Sequence, residues 1–233
     1  MRGNYYGSDG YVPLRVNEYG APLTGELSAR AFNLLLGGTL LWGFFINFVL
    51  CAVFGEAILR LNPLALLLIY IVFATVGILL NTRSHSPAVS FLGYNLVVLP
   101  VGLLLSVYVS GFEGVTVATA FLVTAAVTLT MMLLSAAFPN TFIGLGPMLG
   151  LALFTVLIVN LVFTLIGGFF ALGMIDWIVT FIFCGYIGYD FAMAQRGEKT
   201  ADRAVDGACA LYLDIVNLFM RVLAILARNE RRR

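Results

Sequence analysis

Long apolar runs separated by short polar segments dominate the chain from residue 31 onward. Each run has about 20 residues, which is the length that a helix needs to cross a bilayer. The runs are Ala31–Phe54, Leu64–Leu80, Ala88–Val109, Val115–Ala137, Phe142–Ile166, Trp177–Ala194 and Gly207–Ala227. Ten-residue blocks of alternating polarity, which are typical of membrane strands, are absent from the sequence. The pattern therefore predicts an all-α, polytopic membrane protein with seven helices.

The flanking segments are polar and short. Residues 1–30 contain Gly, Pro, Asn and Tyr and are predicted to form a flexible tail. They do not resemble a cleavable signal peptide, because the first apolar run starts too late and is too long. Residues 31–227 are predicted to form a single transmembrane domain, and residues 228–233 a basic C-terminal tail.

Composition agrees with this prediction. Hydrophobic residues make up 61% of the chain and charged residues 11%, whereas soluble domains carry about 25% charged residues. An ordinary soluble domain and a disordered chain are both excluded. Thirteen Lys and Arg against twelve Asp and Glu give a net charge of +1, so no overall field attracts nucleic acid.

The distribution of basic residues predicts the orientation. Seven of them fall on the N-terminal tail and on the loops at the same side: Arg2, Arg15, Arg30, Arg83, Arg196, Lys199 and Arg203. The positive-inside rule therefore predicts a cytoplasmic N-terminus. The last helix has two interpretations. Its 21 residues favour crossing, whereas a re-entrant or broken central helix would keep Arg228 and Arg231–Arg233 inside.

Two acidic residues are expected within the membrane. Asp190 lies five residues before the polar loop that begins at Gln195, and Asp214 lies eight residues after that loop ends at Asp206. At 1.5 Å per residue, both are roughly 8–12 Å below the same surface. An aspartate at the centre of a membrane helix costs about 2.5 to 3.5 kcal/mol, so each needs a structural or functional reason.

Helices joined by a short loop are natural antiparallel neighbours, so we expect the carboxyl groups of Asp190 and Asp214 to face each other. Two adjacent carboxylates do not both ionise cheaply, and a proton shared near neutral pH would hold the helices together. Loss of that proton would separate them and open a path suited to a metal cation that contacts both carboxylates. Alternatively, each aspartate is satisfied by a local donor such as Tyr189, Tyr212 or Asn217.

Other polar residues have simpler interpretations. Arg83 follows the second run and either reaches the two aspartates or anchors the helix at the membrane surface. His85 beside it is expected to be solvated, and the three cysteines to be small buried side chains. Three acidic residues are predicted to be solvated at the opposite side, where they would attract cations modestly: Glu56, Glu113 and Asp176.

The sequence contains no motif for phosphoryl transfer, zinc proteolysis or serine hydrolysis, and we predict that the chain is not an enzyme. The rival is an intramembrane aspartyl protease, which also uses two aspartates on adjacent helices. Tyr189-Asp190 resembles the first motif of that group. The second aspartate of those proteases follows Gly-x-Gly, whereas Leu211-Tyr212-Leu213 precedes Asp214 here.

Two motifs resemble the Bax inhibitor-1 family. They are Gly188-Tyr189-Asp190 and, after a basic loop, the stretch Ala210–Phe219 that contains Asp214. The resemblance covers roughly residues 30–227 and implies a seven-helix bundle with a central last helix. It also implies a pH-dependent calcium leak, with Asp190 and Asp214 as the pH-sensing pair and Arg83 as a bridge between them. Calcium would be the transported ion, with no resident cofactor.

The sequence departs from the family pattern at four places. Val72 stands where some members have an acidic residue, and no glutamine follows soon after Asp190. Arg221 lies one turn earlier in the last helix than the usual arginine, and Pro139-Asn140-Thr141 replaces a charged turn. The leading expectation is a pH-sensitive cation leak channel, with Ca²⁺ as its ion, in a bacterial plasma membrane. The alternative is a non-conducting regulator that binds another membrane protein, such as a membrane protease.

Overall fold

The structure is a computed structural model that describes residues 26–84, 86–165 and 172–230. Seven helices follow one another in the described part of the chain, which contains no strand. They are α1 (Ala29–Leu59), α2 (Pro63–Arg83), α3 (Pro87–Val109), α4 (Gly114–Ala137), α5 (Pro139–Leu165), α6 (Leu172–Gln195) and α7 (Ala201–Glu230). All seven are long and apolar enough to cross a membrane. The predicted all-α, seven-span architecture is confirmed.

Local sequence explains where the helices begin. Ser28 caps α1 by accepting a hydrogen bond from the backbone N–H of Ala31. Asn62 caps α2 in the same way, and Pro63 occupies the first helical position, where its missing N–H costs nothing. The first two helices therefore begin slightly earlier than predicted, at Ala29 and Pro63. Residues 1–25, 85, 166–171 and 231–233, which include most of the N-terminal tail, His85 and the predicted end of the fifth run at Ile166, lie outside the described residues.

Helix α7 is the central element of the bundle. It contacts α1, α2, α3, α4 and α6, whereas α5 packs on α6 and, less extensively, on α4. Leu211, Tyr212, Leu218 and Leu223 of α7 are fully buried. Large apolar side chains on the other helices point outward, as expected for surfaces that face lipid rather than water.

Contacts at the two ends of the bundle define the course of α7. At the proximal end, defined here by the first residue of α1, the backbone N–H of Leu27 donates to the carbonyl of Lys199 at 2.7 Å. At the opposite, distal end, the Tyr108 hydroxyl donates to the Met220 carbonyl at 3.0 Å. The Thr116 hydroxyl donates to the Glu230 carboxylate there, at 2.6 and 2.8 Å to its two oxygens. Helix α7 therefore crosses the whole bundle.

This course settles the alternatives for the last helix. The re-entrant interpretation is wrong, because α7 is one continuous helix of 30 residues. The basic tail predicted from residue 228 also begins later, since the helix includes Arg228 and ends at Glu230. Arg228, one of the basic residues that favoured the re-entrant interpretation, is paired with the Asp176 carboxylate, and Arg221 is paired with it as well. Both ends of the bundle thus carry arginines, and the cytoplasmic position of the N-terminus stays a prediction.

We predict that the two ends of α7 label from opposite sides of a membrane. Arg196, just before α7, and Asn229, near its end, are both exposed. In a background lacking Cys51, Cys184 and Cys209, Arg196→Cys and Asn229→Cys should react with an impermeant thiol reagent in vesicles of opposite orientation. Labelling of both positions from one side would contradict a crossing helix.

A pair of glycines brings α2 and α3 close together. A Cβ atom added at Gly93 would lie 2.7 Å from the carbonyl oxygen of Gly77, and one added at Gly77 would lie 2.6 Å from the carbonyl oxygen of Gly93. Because these are backbone atoms, neither helix accommodates a side chain without moving. The absence of a side chain at both positions therefore sets the α2–α3 distance.

We expect Gly93→Ala to lower the stability of the bundle by about 1–3 kcal/mol, the usual cost of overpacking. Gly37→Ala is the matched control, because a Cβ at Gly37 meets nothing within 4 Å and alanine favours helix. The measurement is the thermal unfolding midpoint of each purified variant in detergent. A Gly93→Ala midpoint equal to that of Gly37→Ala would contradict the proposed role of the close approach.

Candidate functional site

The structure brings Asp190 and Asp214 together. Asp190 lies near the proximal end of α6 and Asp214 lies on α7, and their carboxyl groups are in hydrogen-bonding contact. Asp214 is 7% exposed, and Asp190 is half-buried. A short loop joins α6 to α7, so the two helices are antiparallel neighbours. This arrangement places the two carboxyl groups at the same level. We refer to these two residues as the aspartate pair.

In the part of the chain that the structure describes, no basic side chain forms an ion pair with the aspartate pair. The ion pairs found among the described residues all involve Asp176, which lies at the other end of α6. Oδ2 of Asp214 is buried and accepts no hydrogen bond from a nitrogen or hydroxyl donor in the described part of the chain. An ionised carboxylate is only an acceptor, so a hydrogen bond between two carboxyl groups requires a proton on one of them.

The side chains considered as local donors contact groups other than the two aspartates. The Tyr212 hydroxyl accepts a hydrogen bond from Nδ2 of Asn47 at 2.8 Å. Nδ2 of Asn217 donates to the Leu213 carbonyl, also at 2.8 Å. The ring of Tyr189 packs against α5 at Gly146. Tyr186 lies within electrostatic range of both aspartates.

Arg83 does not bridge the aspartate pair in this structure. It is the last residue of α2, its side chain is exposed, and it forms no ion pair with Asp190 or Asp214. The reason is the position of α2, which packs chiefly on α3 and only lightly on α7. The bridge implied by the family resemblance is not formed in this structure and stays a prediction, and the exposed side chain favours the surface-anchor interpretation of Arg83.

Small residues fix α6 against α5 on the side away from α7. A Cβ at Gly146 would lie 2.5 Å from the Tyr189 ring, and one at Gly188 would lie 2.2 Å from the Phe142 ring. The Ser135 hydroxyl of α4 donates to the Gly188 carbonyl at 2.5 Å. These contacts hold the backbone of α6 within one turn of Asp190.

A second charged site lies at the distal end of the same two helices. Asp176 is buried, at 6% exposure, and its Oδ1 accepts a hydrogen bond from Nη1 of Arg221 at 2.8 Å. Its Oδ2 is paired with Arg228. We call these three residues the distal ion-pair cluster. The prediction that Asp176 is a solvated loop residue at an acidic mouth is wrong, because α6 begins at Leu172 and the two arginines cover the carboxylate.

The sequence carried a signal for this cluster that hydropathy alone does not reveal. Asp214, Arg221 and Arg228 follow one another at seven-residue intervals, and this spacing places them on one face of a helix. Asp176 and Asp190 are fourteen residues apart on α6. Charged residues on the two helices therefore repeat with the same period, and opposite charges meet at one end while like charges meet at the other.

A buried aspartate also ties the start of α7 to α3. Asp202 is 8% exposed, and its Oδ1 accepts a hydrogen bond from the Ser90 hydroxyl at 2.6 Å. The predicted loop through Asp206 is thus too long, since α7 begins at Ala201. Thr200 explains the early start, because its hydroxyl accepts from the backbone N–H of Arg203 at 3.3 Å, as helix-capping residues do.

The aspartate pair is not a closed metal site. Calcium takes six to eight oxygen ligands, and the described residues contain no group of three or more His, Cys, Asp or Glu side chains able to hold a metal ion. Two carboxyl groups alone offer a transient contact to a passing cation.

We predict that Asp176→Asn destabilises the bundle by about 2 kcal/mol, because it leaves two guanidinium groups without their carboxylate. This is less than for a fully buried pair, since the Arg221 and Arg228 side chains are 42% and 33% exposed. Glu113→Gln, which removes an exposed carboxylate at the same end, is the control. Equal unfolding midpoints for the two variants in detergent would contradict the stabilising role.

Comparisons with known proteins agree with this architecture. The model of the family described as "Inhibitor of apoptosis-promoting Bax1" matches residues 26–231. Protein LIFEGUARD 4 of Arabidopsis thaliana is 42% identical over 87 residues, which cover 35% of each chain. An uncharacterized membrane protein of Streptococcus pyogenes serotype M3 is 33% identical over 139 residues, 55% of this chain and 59% of that protein. Each match therefore spans well under two thirds of the relative.

Proposed function

The chain belongs to the Bax inhibitor-1 family, whose model is described as "Inhibitor of apoptosis-promoting Bax1". From this premise we propose that it is a pH-sensitive cation leak channel gated by the aspartate pair. The transported ion is proposed to be Ca²⁺. The membrane is proposed to be a bacterial plasma membrane, with the proximal end in the cytoplasm. The observation that carries the proposal is the hydrogen-bonding contact of Asp190 with Asp214 without a basic partner among the described residues.

The sign of the pH dependence follows from electrostatics. With one proton shared, the carboxyl groups attract each other and α7 stays on α6, which closes the path. With the proton lost, two negative charges face each other in a poorly solvated site, and their repulsion favours separation. Flux should therefore be low at acidic pH and rise as the pH increases.

The negative charge created by opening also suits the proposed ion. Intramembrane carboxylates mark ion pathways in many membrane proteins, because their cost is offset only when a proton or cation is present. Ca²⁺ prefers oxygen ligands and accepts flexible geometry. Two ionised carboxylates thus provide a contact for a divalent cation that the protonated pair does not. The proposal assigns no catalytic role to either aspartate.

The test is calcium influx into liposomes that contain the purified protein and an internal calcium dye, measured from acidic to alkaline pH. Wild-type influx should rise several-fold with pH. Asp190→Asn and Asp214→Asn should each flatten this dependence, because only one ionisable group remains and the mutual repulsion is lost. Glu198→Gln, which removes an exposed carboxylate in the loop between α6 and α7, should behave as wild type.

Two outcomes would contradict the proposal. Flux that ignores both pH and the two Asn substitutions would remove the gate. Absence of flux from folded protein at every pH would remove conduction and favour the alternative, a non-conducting regulator that binds a second membrane protein such as a membrane protease. Cleavage of a helical substrate that either Asn substitution abolishes would instead indicate an intramembrane protease.

A further inference from the structure

The two ends of the α6–α7 pair are held by different means. At the proximal end the helices are joined covalently through residues 196–200, where Gly197 has a φ of 86°. Nη2 of Arg203 on α7 reinforces this turn by donating to the Arg196 carbonyl at 2.6 Å. At the distal end, by contrast, the side chains of the distal ion-pair cluster hold α7 on α6.

The aspartate pair lies between these two points and much closer to the loop. Asp190 is five residues, or about 8 Å, from the end of α6 at Gln195. Asp176 is nineteen residues, or about 29 Å, from the same point. A force that separates the aspartates therefore cannot open the helices at the loop. It rotates α7 about the loop and displaces the distal end furthest, so that the distal ion-pair cluster opposes the movement.

We propose that Asp176 is a positioning residue that, through Arg221 and Arg228, opposes the separation of α6 and α7 and so sets the pH at which the aspartate pair opens. This inference rests on the proposed gating by the aspartate pair. Gating then depends on a balance along one interface, between repulsion that appears with rising pH near the loop and attraction that persists at the distal end.

The charged and titratable groups around each site are consistent with repulsion near the loop and attraction at the distal end. Asp176 faces Arg221 and Arg228, and Tyr108 of α3 lies within electrostatic range of both arginines. Glu230 of α7 is occupied by its hydrogen bonds to Thr116 of α4. Two guanidinium groups lie beside the Asp176 carboxylate, so the attraction at the distal end should persist at the pH where the aspartate pair separates. Tyr186 is the tyrosine that acts on both members of the aspartate pair.

The first test measures the distal distance itself, without reference to ion flux. Spin labels are placed at Ile178 of α6 and Asn229 of α7, which are both exposed, in a background without native cysteines. The protein is reconstituted in lipid nanodiscs, and the label distance is measured as a function of pH. In the wild-type background we expect one short distance at acidic pH and a growing population of longer distances as the pH rises.

The variants then test the role of the cluster. Asp176→Asn should shift the midpoint of this transition by about one pH unit toward lower pH, which corresponds to a tenfold change in the opening equilibrium. Arg228→Gln, which retains the Asp176–Arg221 ion pair, should shift it in the same direction by less. Glu113→Gln should leave the midpoint unchanged. Because Arg228→Gln is the milder change, it keeps the test decisive if Asp176→Asn does not fold.

The outcomes separate this inference from the proposed function. A distal distance that does not depend on pH in the wild type, or that has the same midpoint in Asp176→Asn, Arg228→Gln and Glu113→Gln, would overturn the inference. The pH profile of calcium influx should shift with the distance midpoint if both hold. A distance transition that shifts as expected without any calcium influx would support the role of Asp176 and contradict conduction.

Discussion

A hydrogen bond between two carboxyl groups in a membrane bundle imposes a condition on the whole interface that contains it. One of the groups has to carry a proton, because two ionised carboxylates have no donor to share. Asp190 and Asp214 approach each other where α6 and α7 face each other, and no basic side chain of the described residues pairs with them, so we propose that this pair meets the condition. The packing of α7 on α6 is thereby linked to a single protonation event.

The central position of α7 makes this link relevant to the entire bundle. Helix α7 contacts five of the other six helices, and charged or polar side chains connect it to the bundle at several levels. Asp202 binds Ser90 near the proximal end, and Arg221 binds Asp176 near the distal end. Helix α6 is held from behind by close packing against α5. A change in the α6–α7 contact would therefore affect several helices through their packing on α7.

Hydropathy predicted the number and approximate limits of the spans because length and apolar content alone determine which segments remain in lipid. Depth below the surface likewise predicted that Asp190 and Asp214 lie at one level. It did not predict which side chains neutralise one another, since that depends on how helices are rotated. Asp176 was assigned to a solvated loop, and Arg228 to a tail, because each was assessed without its partner. The seven-residue spacing of Asp214, Arg221 and Arg228 was the available signal.

The position of Arg83 illustrates the same limit. Its place at the end of α2 was predicted correctly, but its reach depends on tertiary packing that hydropathy does not encode. Because α2 packs chiefly on α3, the guanidinium group remains at the surface, and in the proposed function a proton rather than this arginine neutralises the aspartate pair. A family resemblance identified the residues that matter in this interface without specifying how this chain balances their charges.

The claim that Asp190 and Asp214 share a proton is tested most directly by infrared spectroscopy. The signal of protonated carboxyl groups is recorded in the reconstituted protein as the pH is raised through neutrality. The account predicts a carbonyl stretching band of a protonated carboxylic acid that persists at neutral pH, disappears at alkaline pH, and is altered or lost at neutral pH in both Asp190→Asn and Asp214→Asn. A neutral-pH spectrum without such a band, or a band that both substitutions leave unchanged, would contradict a proton shared between the two helices.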